Sequence, residues 1–197
     1  MTDYGLVAKQ IVSLAEVDAH WLPVLSNAAA LLWDALDDIN WAGFYLLDPS
    51  TVVDSEPGLE PGLEPSLESA TQSGLEPGSS EPRLNPGLEP RFPELRLGPF
   101  QGKVACVRIP FGRGVCGTAA ATKTSQLVEN VHQFSGHIAC DSASNSEVVV
   151  PIFKNGQVVG VLDIDSPSVA RFTQEDLTGL EQVVKALESC ANFSDFC

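Results

Sequence analysis

Glu147-Val-Val-Val-Pro-Ile-Phe-Lys154, Asn155-Gly156, Gln157-Val-Val-Gly-Val-Leu-Asp-Ile164-Asp165 is the stretch whose reading decides the fold. Two apolar, β-branched runs flank an Asn-Gly pair. Asn-Gly supplies the positive φ angles that a two-residue hairpin turn needs, so 147–154 and 157–164 are expected as antiparallel strands. Upstream, Asn40-Trp-Ala-Gly-Phe-Tyr-Leu-Leu47 reads as a further strand, rich in aromatic and apolar residues. Shorter strands are expected over Val104–Pro110 and Leu127–Val131. A short helix over Gly114–Thr122 starts in a glycine-rich turn.

Helices bracket these strands. Val7, Ile11, Leu14 and Ala15 recur at helical spacing, as do Leu25, Ala28, Ala29, Leu32, Trp33 and Leu36. A break at Asp18–Pro23 separates the two, with Asp18 as the expected cap. Thr173 and Asp176 form a capping-box pattern that opens a closing helix reaching to about Phe193. Helices at both ends and antiparallel strands between them predict an α+β fold, a central sheet covered on one side by helices from both chain ends.

The span 49–95 is different. Gly-Leu-Glu-Pro recurs at Gly58, Gly62, Gly74 and Gly87. Such Pro-, Gly-, Ser- and Glu-rich sequence buries too little apolar area to offset its ordering entropy. It is expected as a disordered loop insertion within one domain made of 1–48 and 96–197. The competing view is a linker between two domains. The two helices and one strand before it are too little to fold alone.

The chain has 197 residues and a net charge of −15, which makes nucleic acid and anionic membrane poor partners. No apolar stretch approaches the roughly 18 residues of a membrane span. The first residues, Met-Thr-Asp-Tyr, carry neither a basic n-region nor an apolar h-region, so the cytoplasm is the expected location. Five cysteines, at 106, 116, 140, 190 and 197, are an odd count that argues against a structural disulfide framework. Cys106, Cys116 and Cys140 fall close together and point to redox chemistry or to a metal. Their gaps are long for zinc, and a site from Cys106, Cys116, Cys140 and His137 is the weaker alternative.

Four features could carry chemistry. The loop 137–147 holds Cys140 among small polar residues between two strands, where functional groups concentrate. Asp163 and Asp165 share one face of a strand. They cost free energy there unless paired or used, although a solvent-facing pair is the plainer reading. Trp41 and Tyr45 also share a face and by themselves read as sheet packing. The turn Gly112–Ala119 could offer backbone N–H groups to a carboxylate.

Together these features resemble the free methionine-(R)-sulfoxide reductases, a GAF-domain family. The resemblance rests on NWAGFYLL (40–47), LGPFQGKVACVRIPFGRGVCG (97–117), HIACDSASNSE (137–147), GVLDIDSP (160–167) and the Phe172–Asp176 segment. It covers the chain apart from the insertion and the last few residues. It implies a single GAF-type domain that reduces the free amino acid, in the R configuration at sulfur. It implies Cys140 as nucleophile, passing through a sulfenic acid, with Cys106 as the resolving thiol. Cys116, the family's third cysteine, stays open as the alternative nucleophile. Glu147, Asp163 and Asp165 would be the acidic cluster that protonates the sulfoxide oxygen and binds the ammonium. Trp41 and Tyr45 would wall the S-methyl group. Thioredoxin or a similar dithiol would reopen the disulfide. No metal or organic cofactor is implied, and a homodimer is compatible with the family. A non-catalytic GAF domain that senses a small ligand or redox state is the alternative function. Cys190 and Cys197 lie outside the motifs.

Overall fold

A computed structural model describes residues 2–51, 93–136 and 142–196. Its helices are α1 (Tyr4–Ala15), α2 (Trp21–Ala35), α3 (Gly114–Thr122) and α4 (Gln174–Cys190). Its strands are β1 (Trp41–Leu47), β2 (Glu94–Gly102), β3 (Arg108–Pro110), β4 (Gln126–Val128), β5 (Ser146–Lys154) and β6 (Gln157–Ser166). They form one sheet in the order β3-β2-β1-β6-β5-β4, with every pairing antiparallel. The β5–β6 hairpin turns at Asn155 and Gly156, both at positive φ, as the Asn-Gly pair predicts. No described helix is long and apolar enough to cross a membrane.

The expected layer of terminal helices is present. α1, α2 and α4 bury Ile11, Leu25, Leu32, Leu180 and Leu187 against Phe44, Leu162 and Ile164 of the sheet. The other face is covered as well. There α3 packs Cys116, Ala119 and Ala120 against Trp41, Tyr45, Val149 and Val161. One-sided cover therefore understates the fold. The signal is in β5 and β6, whose unbroken buried runs belong to strands enclosed on both faces.

Local chemistry sets the ends. Thr173 Oγ1 accepts from the Asp176 N–H at 3.2 Å, and the Thr173 N–H donates to Asp176 Oδ2 at 2.8 Å, the expected capping box. α2 begins earlier than Asp18–Pro23 suggests. His20 is its cap, with Nδ1 accepting from the Leu22 N–H at 3.2 Å, and Asp18 instead accepts from the His20 N–H at 2.8 Å. Pro23 sits in the first turn, where its missing N–H costs nothing.

The strand expected over Val104–Pro110 shortens to Arg108–Pro110. The longer strand is β2, which the sequence hides behind Gly98-Pro99. Gly43 pairs with Phe100 but Tyr45 with Leu97, so Gly98 and Pro99 together oppose Phe44. That is a bulge, one of the few places a sheet takes proline. The expected insertion 49–95 also overlaps ordered chain at both edges. Pro49–Thr51 form a 3₁₀ turn and β2 starts at Glu94. Buried Asp48 there accepts from Ser50 Oγ at 2.8 Å and pairs with Arg96, joining the end of β1 to β2. Residues 52–92 lie outside the described residues.

Candidate active site

Strand pairing assembles the site. Across three neighbouring strands, Trp41 of β1 pairs with Asp165 of β6, which pairs with Glu147 of β5. One step along the strands, Gly43 pairs with Asp163, which pairs with Val149. Alternation along β6 puts Asp163 on the same face as Asp165, and this is the face that α3 covers. The helix brings Cys116 over the acids. Its Sγ donates to Glu147 Oε1 at 3.9 Å.

This pocket is nearly closed to water. Cys116, Glu147 and Asp163 are 3%, 6% and 5% exposed, while Asp165 is half-buried. The plainer reading of Asp163 and Asp165 as a solvent-facing pair does not describe Asp163. Two polar atoms here are buried without a hydrogen-bond partner, Asp163 Oδ1 and Trp41 Nε1. Each such buried, unpartnered atom carries a desolvation cost that a polar ligand would offset.

Burial dominates the electrostatics. It lifts the Glu147 carboxyl well above the usual range, and repulsion from Asp163 and Asp165 adds to it. Burial likewise pushes Asp163 up to about 6, against hydrogen bonds from Cys116 and Glu147 that pull it down. Both shifts favour the protonated carboxyl, at Glu147 most strongly. The Cys116 thiol is raised well above its usual value, by burial first and then by the Asp163 and Glu147 charges. Burial also holds Tyr45 as a neutral phenol.

Trp41 is clamped by aromatic neighbours. Its ring stacks on Tyr45 with centroids 5.6 Å apart and planes 22° apart, and on Phe100 at 5.3 Å and 14°. Phe100 is absent from the sequence-derived site. Only its place in the 97–117 string hinted at it. Gly43 is likewise missed. A Cβ there would stand 2.3 Å from Phe100 Cβ and 2.7 Å from Trp41 Cη2, so the stack requires glycine at this position.

The structure thus brings together Trp41, Tyr45, Cys116, Glu147, Asp163 and Asp165. Cys106 lies between β2 and β3, half-buried against the same apolar layer. It is disulfide-bonded, and its partner is neither Cys116 nor Cys190, which are free thiols. Cys140 and His137 fall outside the described residues, as does Cys197. In the glycine-rich turn, the Gly112 and Gly114 N–H groups already donate to the carbonyls of Gly117 and Gly136, at 2.7 and 3.2 Å. Among the described residues, Cys116, Glu147 and Asp163 have donor atoms within 4.8 Å of one another, close enough to hold a cation. Cys106 is not in that group. Metal binding there would require the thiol and Glu147 to release their protons.

The GAF domain family matches residues 21–190. The free methionine-R-sulfoxide reductase of Escherichia coli (strain K12) is 42% identical over 193 residues, which is 98% of this chain and 91% of its own. This chain belongs to the free methionine-R-sulfoxide reductase family of GAF domains. A reductase of the same name from Saccharomyces cerevisiae is 39% identical over 183 residues, 90% of this chain and 79% of its own. Among solved structures, fRMsr of Staphylococcus aureus in complex with substrate superimposes with a TM-score of 0.70 at 43% identity. That match covers 98% of this chain and 97% of the other. Membership in the free methionine-R-sulfoxide reductase family accounts for the α+β fold.

Proposed function

We propose that this protein reduces free L-methionine-(R)-sulfoxide to methionine, with Cys140 as nucleophile. The observation that carries this reading is the pocket itself. An acid biased to its protonated form, an ionisable acid with an orphaned oxygen, and an aromatic wall lie together in one buried layer. A zwitterionic amino acid with a sulfoxide offers a partner to each. Its ammonium suits Asp163 and Asp165, its S-methyl group suits the Trp41 face, and its oxygen suits the Glu147 proton. The carboxylate falls to the first turn of α3 or to the 137–147 loop. A pocket that engages both ends of an amino acid excludes a peptide.

The chemistry balances as follows. The Cys140 thiolate attacks the sulfoxide sulfur while Glu147 delivers its proton to the oxygen. The protonated oxygen passes from the substrate sulfur to the Cys140 sulfur as the S–O bond and the transient bond between the two sulfurs break, methionine leaves, and Cys140 becomes a sulfenic acid. The Cys106 thiol attacks that sulfur, water leaves, and a disulfide forms. Thioredoxin or another dithiol is oxidised in reopening it. Two facts support these roles. Cys106 engages in a disulfide that excludes Cys116, and the surroundings of Cys116 oppose a thiolate. Cys116 is then a neutral hydrogen-bond donor to Glu147 instead of a nucleophile.

The test is an assay of free and peptide-bound methionine sulfoxide as separate R and S epimers, with thioredoxin and its reductase supplied. Turnover is expected for the free R epimer and its loss for Cys140→Ser. Equal turnover of peptide-bound substrate, or full activity of Cys140→Ser, would contradict the reading.

A further inference from the structure

A second cavity lies away from the acids, beyond the C-terminal end of α3. Its volume is about 630 Å³, within the size range of small-ligand sites. Leu47, Phe111, Ala120 and Val158 make its apolar wall, and Lys123 and Lys154 also line it; Lys123 borders the adjoining groove of Glu181 and Glu188 as well. No aspartate or glutamate lines it among the described residues. That is unusual in a chain with 26 acidic and 11 basic residues.

The two ammonium groups arrive from separate elements. Lys154 ends β5. Lys123 caps α3 in the left-handed conformation, at φ 59° and ψ 30°, where glycine or asparagine is the ordinary choice. Neither lysine makes an ion pair or side-chain hydrogen bond among the described residues. The α3 carbonyl end favours one cation nearby. It does not account for Lys154, which belongs to the hairpin.

We propose that this cavity binds a small organic acid, one carboxylate on an apolar body, with the carboxylate held between Lys123 and Lys154 and the body against Phe111 and Val158. Two lysines in the lining disfavour a cation. A fully polar anion would leave the wall without a partner. The inference is independent of the reductase reading, because binding is measured without turnover.

Titration calorimetry of the full chain with octanoate, 1-octanol and octylammonium tests it. Octanoate should bind about tenfold more tightly than octanol, the scale of two partly exposed charge contacts, and octylammonium should bind weakest. Lys123→Gly suits the left-handed backbone. Combined with Lys154→Gln, it should bring octanoate down to the level of octanol. Ala121→Trp, at an exposed lining position, should remove both, with an unchanged far-UV spectrum showing that the fold persists. Equal binding of octanoate and octanol, octanoate binding that survives Ala121→Trp, or no octanoate binding at millimolar concentration would overturn the proposal.

Discussion

Cys116 Sγ donates to Glu147 Oε1 across 3.9 Å, linking the first turn of α3 to β5 inside a closed layer. The thiol is a free, buried group surrounded by acids. Burial and the neighbouring acids both disfavour a thiolate there, which fits the proposed attack by Cys140.

Replacing this thiol should therefore weaken the enzyme without stopping it. Cys116→Ser keeps a donor to Glu147, and its kcat is expected within about tenfold of wild type, the scale of one altered hydrogen bond. Cys140→Ser should be inactive. Steady-state kinetics of the two variants side by side makes the comparison. An inactive Cys116→Ser with a normal circular-dichroism spectrum would make Cys116 the nucleophile.

Asp163 gives the site a pH signature in stability. Its carboxyl titrates at about 6 in the fold, up from 3.8. Between those values the native state holds a proton that the unfolded chain has released. Ionising Asp163 at neutral pH thus destabilises the fold, and the penalty fades as pH falls from about 6 toward 3.8. Asp163→Asn should be more stable than wild type at pH 7.5 by on the order of 1–3 kcal/mol, with the gap closing by about pH 4. Asp176 shifts the other way, its burial outweighed by hydrogen bonds from Tyr4 and Thr173. It is common to both proteins and cancels in the difference. Urea unfolding of both proteins across this range reads the gap. A gap that stays constant would contradict a raised Asp163.

The aromatic clamp predicts an effect from a single methyl group. Gly43→Ala places a carbon 2.3 Å from Phe100 Cβ and 2.7 Å from Trp41 Cη2. Phe100 and Trp41 must move apart, at a cost of about 1–3 kcal/mol. KM for the free sulfoxide should rise, because the Trp41 face is displaced while the acids stay in place. Thermal unfolding and the split between KM and kcat test this. Unchanged KM would show that the stack does not position substrate.

These residues also show how far the sequence carries. The β5–β6 hairpin was legible because Asn-Gly has one dominant structural meaning. Pairing of Asp163 with Asp165, and of Trp41 with Tyr45, follows from strand alternation alone. That both pairs face one pocket does not. It depends on β1 lying beside β6, a non-local pairing that leaves no mark in either segment. β2 was hidden because its bulge takes Gly98 and Pro99, residues that ordinarily break strands. Phe100 and Gly43 were missed for a related reason. Their role is set by the cross-strand register between Gly43 and Phe100, and no local pattern records a register. Cys116 was visible as a cysteine, but its burial, which argues against a nucleophile, comes only from the packing of α3.

The most direct test of the proposed chemistry is a single turnover without external reductant, followed by peptide mapping under non-reducing conditions. Fully reduced protein is mixed with excess free methionine-(R)-sulfoxide. The account predicts one methionine per chain and a new disulfide joining the Cys106 and Cys140 peptides, with Cys116 still alkylatable after unfolding. A disulfide that contains Cys116, or methionine formed with no loss of thiols, would contradict it.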